Sequence, residues 1–180
     1  NGRADFRNKE MPDDRAELLR EANLLRVLNW RDQGDRIILC GQVPWDASVD
    51  FTDHVGWLKE AVRRIKTHSK RPIIFRPHPK APILPLEGCA YSTRPLAEDL
   101  KNAWVCVTFN CNAGVVAIVA GVPVFVDDIG SMVYGVANRN WVAMDDPETP
   151  DRTEWANGIA YAQWAPSEMR AGLAWTHLFP

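Results

Sequence analysis

The stretch Phe75-Arg76-Pro77-His78-Pro79-Lys80 sets one imidazole between two prolines, with a cationic side chain two residues away on either side. Proline fixes its own φ and steers the preceding residue away from the helix, so the ring sits on a stiff segment. A held histidine beside Arg76 and Lys80 gathers donors and positive charge at one point, which suits a diphosphate or a phosphodiester. The competing role for His78 is a turn histidine bonded to a backbone carbonyl. Asn110-Cys111-Asn112-Ala113-Gly114 offers a second anion-binding element. Small and amide residues there lead into a helix, whose first N–H groups lack intrahelical partners and carry the positive end of the dipole. Ordinary capping by Asn112, with Gly114 packing the helix close to the sheet, accounts for the same residues. The third stretch holds Gly41, Gln42, Trp45 and Asp46. Gly41 lets a ligand approach the backbone, Gln42 can read an amide or a base edge, and Asp46 can accept from a sugar hydroxyl. Trp45 either serves that loop or covers the core. In the fourth stretch, Asp127 and Asp128 precede Gly130 and Ser131, which are predicted to start a helix. The adjacent carboxylates suit a metal or a ribose, or cap a turn.

Each of these stretches directly follows an apolar run. Residues 36–40, 71–76, 104–109 and 122–127 are predicted strands, apolar along their length as strands covered on both faces are. Between them lie predicted helices at 13–28, 55–68, 96–103 and 113–120, the last stopped by Gly121. In the first, Asp13 or Asp14 caps a face of Leu18, Leu25 and Leu28; in the second, Val55, Leu58, Val62 and Ile65 share a face. The proline-rich 80–94 reads as irregular. A short strand is expected at 141–144, then two helices at 151–164 and 166–175 with Asp151 and Ser167 as caps. Alternating strands and helices of this kind predict an α/β fold, a Rossmann-like doubly wound parallel sheet. Ligands in such sheets bind beyond the carboxyl ends of the strands, the rim on which all four stretches fall.

Composition sets outer limits. With 46% hydrophobic and 24% charged residues, the chain of 180 residues is neither a disordered tail nor a membrane bundle. A net charge of −2 speaks against a surface devoted to nucleic acid. Charge is uneven, however: residues 36–80 hold nine Lys and Arg against four Asp and Glu, and residues 127–168 hold two against eight. Cys40, Cys89, Cys106 and Cys111 form no C-x-x-C pair and read as small buried hydrophobes in a reducing, cytoplasmic setting. His54, His68, His78 and His177 are scattered, so no metal site is expected. Trp155, Trp164 and Trp175 are placed where an exposed aromatic stripe would meet a partner. No Walker loop or G-x-G-x-x-G is present, which disfavours a nicotinamide dehydrogenase.

Three of the four stretches resemble motifs of the bacterial capsule polysaccharide synthesis family, over about residues 36–135. IILCGQVPWD is similar to its strand plus L-Q-x-x-x-D loop, and FRPHPK to its K-P-H-P motif, with Arg76 in place of the lysine. VTFNCNAGVVAIVAGVPVFV resembles its S-S-x-x-x-E-A-L-x-x-G-x-P-V segment, with Asn110 and Cys111 for the hydroxyl residues and no counterpart of the glutamate. The family includes β-Kdo glycosyltransferases of the GT-B fold, whose C-terminal Rossmann-like half binds a nucleotide-activated sugar. The resemblance implies that His78, with Arg76, acts on the donor phosphate. It places Asn110, Asn112, Ala113 and Gly114 where the family's Ser-rich turn stands, and Gln42 and Asp46 in the nucleotide loop; Lys80 and Gly41 join the expected site from the residue chemistry above. Asp127 and Ser131 complete the expected rim. It further implies three segments: an N-terminal helical piece over 1–35, a nucleotide-sugar-binding domain over 36–150, and C-terminal helices over 151–180 packing on it. The nucleotide sugar would be a co-substrate, with no tightly bound cofactor. The acceptor would be a polysaccharide, a glycolipid or, for a phage relative, a hydroxymethylated DNA base. The resemblance implies that the carboxylates for acid–base work come largely from an N-terminal half, so a further N-terminal domain or partner chain is expected. A non-catalytic nucleotide- or glycan-binding module is the other expectation.

Overall fold

The computed structural model describes residues 11–49 and 53–179. Its centre is a five-stranded sheet. Strands β1 (Arg36–Cys40), β2 (Ile73–Arg76), β3 (Ala90–Tyr91), β4 (Ala103–Thr108) and β5 (Val124–Val126) lie in the order β3-β2-β1-β4-β5. Every pairing is parallel. Ile37, Ile38 and Leu39 are all fully enclosed, as are Val105, Cys106 and Val107 and then Val124, Phe125 and Val126. Consecutive buried residues mean that both sheet faces are covered, which is why these runs are apolar without alternation.

The register fixes where the strands stop. Cys40 pairs with Arg76 and with Thr108, and Thr108 pairs with Val126. Four strands therefore end at one level, and the chain leaves them at a shared rim. Strand β3, inside the stretch expected to be irregular, adds Ser92 just beyond Tyr91, whose partner is Phe75. A two-residue edge strand has too short a pattern to stand out from its prolines.

Helix α2 (His54–His68) covers one face. Asp53 caps it by accepting the Gly56 N–H at 2.9 Å. Its buried face is His54, Leu58, Ala61, Val62 and Ile65, so His54 stands where Val55 was expected. Helix α3 (Leu96–Leu100) and helix α4 (Ala113–Val119) follow β3 and β4. Gly121, at φ 77°, ends α4 in the left-handed region, and a side chain there would meet the Asn29 carbonyl at 2.0 Å. No helix starts at Gly130; the segment turns, with Ser131 buried and its hydroxyl accepting the Val133 N–H. Residues Trp141–Ala143 form a 3-10 helix capped by Asn140, not a strand.

The chain divides into two units: Val27–Asp151, just described, and a second made from the residues before 27 and after 151. In the second, α1 (Asp14–Glu21) is much shorter than the predicted 13–28, because Asn23 turns at φ 55°. The first C-terminal helix is α5 (Thr153–Tyr161), with Arg152 rather than Asp151 at its cap position. The second prediction splits at Gly172 into α6 (Pro166–Arg170) and α7 (Leu173–Leu178). Ala165, not Ser167, precedes α6 as its cap residue, and its N–H donates to Glu168. Arg15 joins these helices. It pairs with both Glu168 oxygens at 2.6 and 2.9 Å, donates to the Ala160 carbonyl at 2.7 Å, and lies 3.8 Å over the Trp164 ring. Trp164 is thereby occupied and Trp155 half-buried, so Trp175 alone of the expected stripe is exposed, its ring tilted against Phe179. No helix among the described residues is long and apolar enough to cross a membrane.

Candidate active site

Strand order decides where a ligand can sit. From β1 the chain winds outward to β2 and β3, then returns to β4 on the other side of β1. The loops after β1 and β4 therefore diverge, and a crevice opens between them. A cavity of about 430 Å³ occupies that crevice, within the range of ligand sites. Its lining comes from Gly41, Gln42 and Asp46 after β1, Arg76 and His78 after β2, and Asn110, Asn112 and Ala113 after β4. Eight of the twelve sequence-derived candidates thus converge on one space.

The histidine is held as its prolines predict. Its Nδ1 accepts the Lys80 N–H at 3.1 Å, and Ala81 donates to its carbonyl at 2.9 Å. A nitrogen that accepts carries no proton, so in the neutral ring Nε2 bears the N–H. His78 is therefore a donor on a residue that lines the cavity. Arg76, its neighbour, is pinned differently. Its guanidinium reaches the Asp99 carboxylate at 3.1 Å and the Arg94 carbonyl. Asp99 is fully enclosed and also takes Arg94 at 2.8 Å and the Ser92 hydroxyl at 2.8 and 2.9 Å. Two guanidinium groups thus share one carboxylate, leaving one positive charge in excess beside the cavity.

On the other side lies a network of side-chain amides. The Gln42 amide donates to the Ser48 hydroxyl at 3.1 Å and to Asn110 Oδ1. Asn110 in turn donates to the Ser48 carbonyl at 2.6 Å and to Asp128. Gln42 is itself buried, with its N–H accepted by His54 Nε2. The Ser48 N–H, at 2.9 Å, and the Ser48 side chain hold the Asp46 carboxyl below the usual carboxylate range, and nearby His78 acts in the same direction. Burial pushes the Cys111 thiol up to about 11, so this cavity-lining cysteine is a thiol and not a thiolate nucleophile. Cys40 and Cys106 are buried as expected, their sulfurs 3.8 Å apart, and each of the four cysteines is free.

Other expectations are revised. The Ala113 and Gly114 amides turn inward, to Cys111 Sγ at 3.4 Å and the Cys111 carbonyl at 3.0 Å. The Asn112 N–H, by contrast, has no acceptor among the described residues. Gly114 is a packing residue: a Cβ there would meet Val133 at 3.1 Å and Thr108 at 3.4 Å. Lys80 offers only its backbone to His78 and is absent from the lining. Asp127 is absent from the cavity lining. It accepts from the Trp57 indole at 2.9 Å, the Trp141 indole at 3.1 Å and Arg64 at 2.8 Å, a staple between α2 and the 3-10 helix. Ser131, facing the core, leaves the rim too. Trp45 is 76% exposed and covers no core.

Asp99, Arg94, Ser48 and His54 escape the reading of motifs. Two of them left a trace. Leu96, Asp99 and Leu100 share a helical face, and His54 falls on the buried face of α2 with Leu58, Val62 and Ile65. A polar residue in an apolar register marks a partnered one.

The fold and the cavity define a parallel α/β protein with a cavity at its topological switch point. Among solved structures, it is similar to the KpsC β-Kdo 2,7-transferase of Thermosulfurimonas dismutans. The TM-score is 0.56 at 22% identity, over 79% of this chain and 50% of that one. It is also similar to the KpsC β-Kdo 2,4-transferase of the same organism, with a TM-score of 0.55 at 12% identity, over 81% of this chain and 53% of that one. The likeness is one of fold, and it agrees with the resemblance read from the three motifs. The chain spans about half the length of the structures it matches. No family model matches the sequence, and no curated protein does.

Proposed function

We propose that this chain is the donor-binding half of a GT-B-type glycosyltransferase, taking a nucleotide-activated sugar in the switch-point cavity. One observation carries the reading. His78, with Nδ1 occupied by the Lys80 N–H and Nε2–H left as a donor, lines the same cavity as the turn at Asn110–Ala113. Transfer breaks the bond between the anomeric carbon and the nucleotide phosphate oxygen; an acceptor hydroxyl oxygen forms the new bond, and its proton passes to solvent or to the departing phosphate. Negative charge grows on the departing phosphate. The His78 N–H, the Asn112 N–H and the surplus charge of the Arg76–Asp99–Arg94 cluster would stabilise that charge electrostatically. Their positions are fixed in advance, so little reorganisation is needed as charge develops. The fold shared with two β-Kdo transferases supports the reading. Because the chain spans about half of each, the donor, the acceptor and the whole reaction belong to the proposal.

Calorimetric titration with CMP- and UDP-sugars tests it. Binding is expected, and His78→Ala should weaken it about tenfold or more, the worth of a charge-assisted hydrogen bond. Absence of binding by every nucleotide sugar would falsify the assignment, as would an unchanged affinity in the variant. A second reading, a binding module without transfer, is favoured by one observation. Among the described residues, the only carboxylate lining the cavity is Asp46, and it is engaged by Ser48. A base is therefore not evident. Donor binding with neither transfer to an acceptor nor donor hydrolysis would decide for the module.

A further inference from the structure

His54 is 1% exposed, and its Nε2 accepts the backbone N–H of Gln42 at 2.9 Å. The proton of the neutral ring is therefore on Nδ1. That Nδ1 is buried and has no hydrogen-bond partner among the described residues. The ring cannot turn to relieve this without losing its packing. It stacks on Trp57 at 5.5 Å and 14°, and meets Phe109 edge-on at 6.4 Å. A leucine would fill such a site without leaving a buried donor unsatisfied. What an imidazole adds is an acceptor aimed at the first residue after Gly41, where the cavity wall begins.

We infer that His54 is a positioning residue of the cavity: its uncharged ring holds the Gln42 backbone, and through Gln42 the amide bridge to Asn110, so that ligand affinity falls when the ring is protonated. The inference rests on the reading of the cavity as the donor site. Protonation puts an N–H on Nε2, donor against the Gln42 donor, and the contact becomes repulsive. Burial lowers the imidazole pKa from its ordinary value, opposed by the Asp53 carboxylate at the start of α2. Among the described residues, the charged groups on the elements around the ring are Asp53, Asp46 in the loop after β1, and Asp127 and Asp128, which bond Trp57 and the 109–110 segment; segment 109–113 itself carries none. With the folded value depressed, the contact is intact above the ordinary histidine range and is lost as pH falls through the depressed value. A positive charge on His78 would favour an anion, the opposite sign, so the test must hold His78 constant.

The test compares the full chain with His54→Gln, which keeps an acceptor and cannot titrate. CMP and UDP serve as calorimetric probes at about pH 7.5 and at a pH below the midpoint at which the His54 ring nitrogen resonances titrate. Both proteins retain His78. The wild type should lose about tenfold more affinity on acidification than the variant, the worth of one hydrogen bond turned repulsive. Equal losses would overturn the inference. A second measurement needs neither ligand nor variant. Ring nitrogen resonances of wild-type His54 should show the Nδ1–H tautomer near neutrality, and the Gln42 amide signal should shift in step with ring protonation. An Nε2–H tautomer, or a Gln42 amide indifferent to the ring, overturns the inference. If neither probe binds at any pH, the donor reading fails, while the ring and amide signals still decide the role of His54.

Discussion

Around the cavity, the wall built by the loops after β1 and β4 is held by neutral amides, whereas the wall built by β2 and α3 is held by charge. Gln42, Ser48 and Asn110 match donors to acceptors one by one, and His54 closes the series from behind. Asp99 instead collects Arg76, Arg94 and Ser92 around a single enclosed carboxylate. Directional amide bonds fix shape, with the Asp46 and Asp128 carboxylates at their margin. An unbalanced ionic cluster fixes shape and also leaves one cation in excess. A ligand with one polar flat part and one anionic part would find both complements in the same crevice, which is the composition of a nucleotide sugar.

The ionic wall should be the more fragile to single truncation. Asp99→Ala leaves two guanidinium groups without their shared carboxylate, one of them 15% exposed at the side chain. A loss of about 3–5 kcal/mol in urea unfolding is expected. A loss under about 1 kcal/mol would show that charge does not hold this wall. The amide wall should yield less. Asn110→Ala removes partners from Gln42, Ser48 and Asp128, and a loss of about 1–3 kcal/mol is expected. Coupling with Gln42→Ala in a double-mutant cycle should reach about 0.5 kcal/mol or more, and simple additivity would break the picture of a connected wall. Asp46→Asn should move stability least, since its carboxylate meets solvent and a single turn. Its pH effect has a defined sign. The folded carboxyl is held below its ordinary value of 3.8, so its contribution is present above that value and lost as pH falls through the depressed one. An acid limb of the unfolding curve that is unchanged in Asp46→Asn would remove the Ser48 contact from the account.

The sheet was legible because its evidence is local. Residues 36–40, 71–76, 104–109 and 122–127 are short apolar runs, and a strand overlaps each of them. The cavity followed from them, because strand ends in a parallel sheet share a rim. Less legible were the pieces whose pattern is too brief to register, such as Ala90–Tyr91 and the 3-10 helix at Trp141–Ala143. The first helix was overextended because leucines continue to 28, whereas the chain turns at Asn23 and leaves Leu18 66% exposed. Asp127 and Asp128 show why adjacency misleads. One carboxylate ties two indoles and Arg64, while the other accepts from Asn110 and Gly130.

Residue order alone determined the strands, the α/β alternation and the loops on which chemistry could fall, since hydrophobic period and proline placement act within a few neighbours. Only the tertiary structure decided that His54 serves the rim, that Asp99 anchors Arg76, and that Lys80, Gly114, Asp127 and Ser131 stand off the cavity. Those assignments depend on partners far apart in the chain. A buried polar group is defined by what strand order and register bring against it, and that pairing is written in no short stretch of sequence.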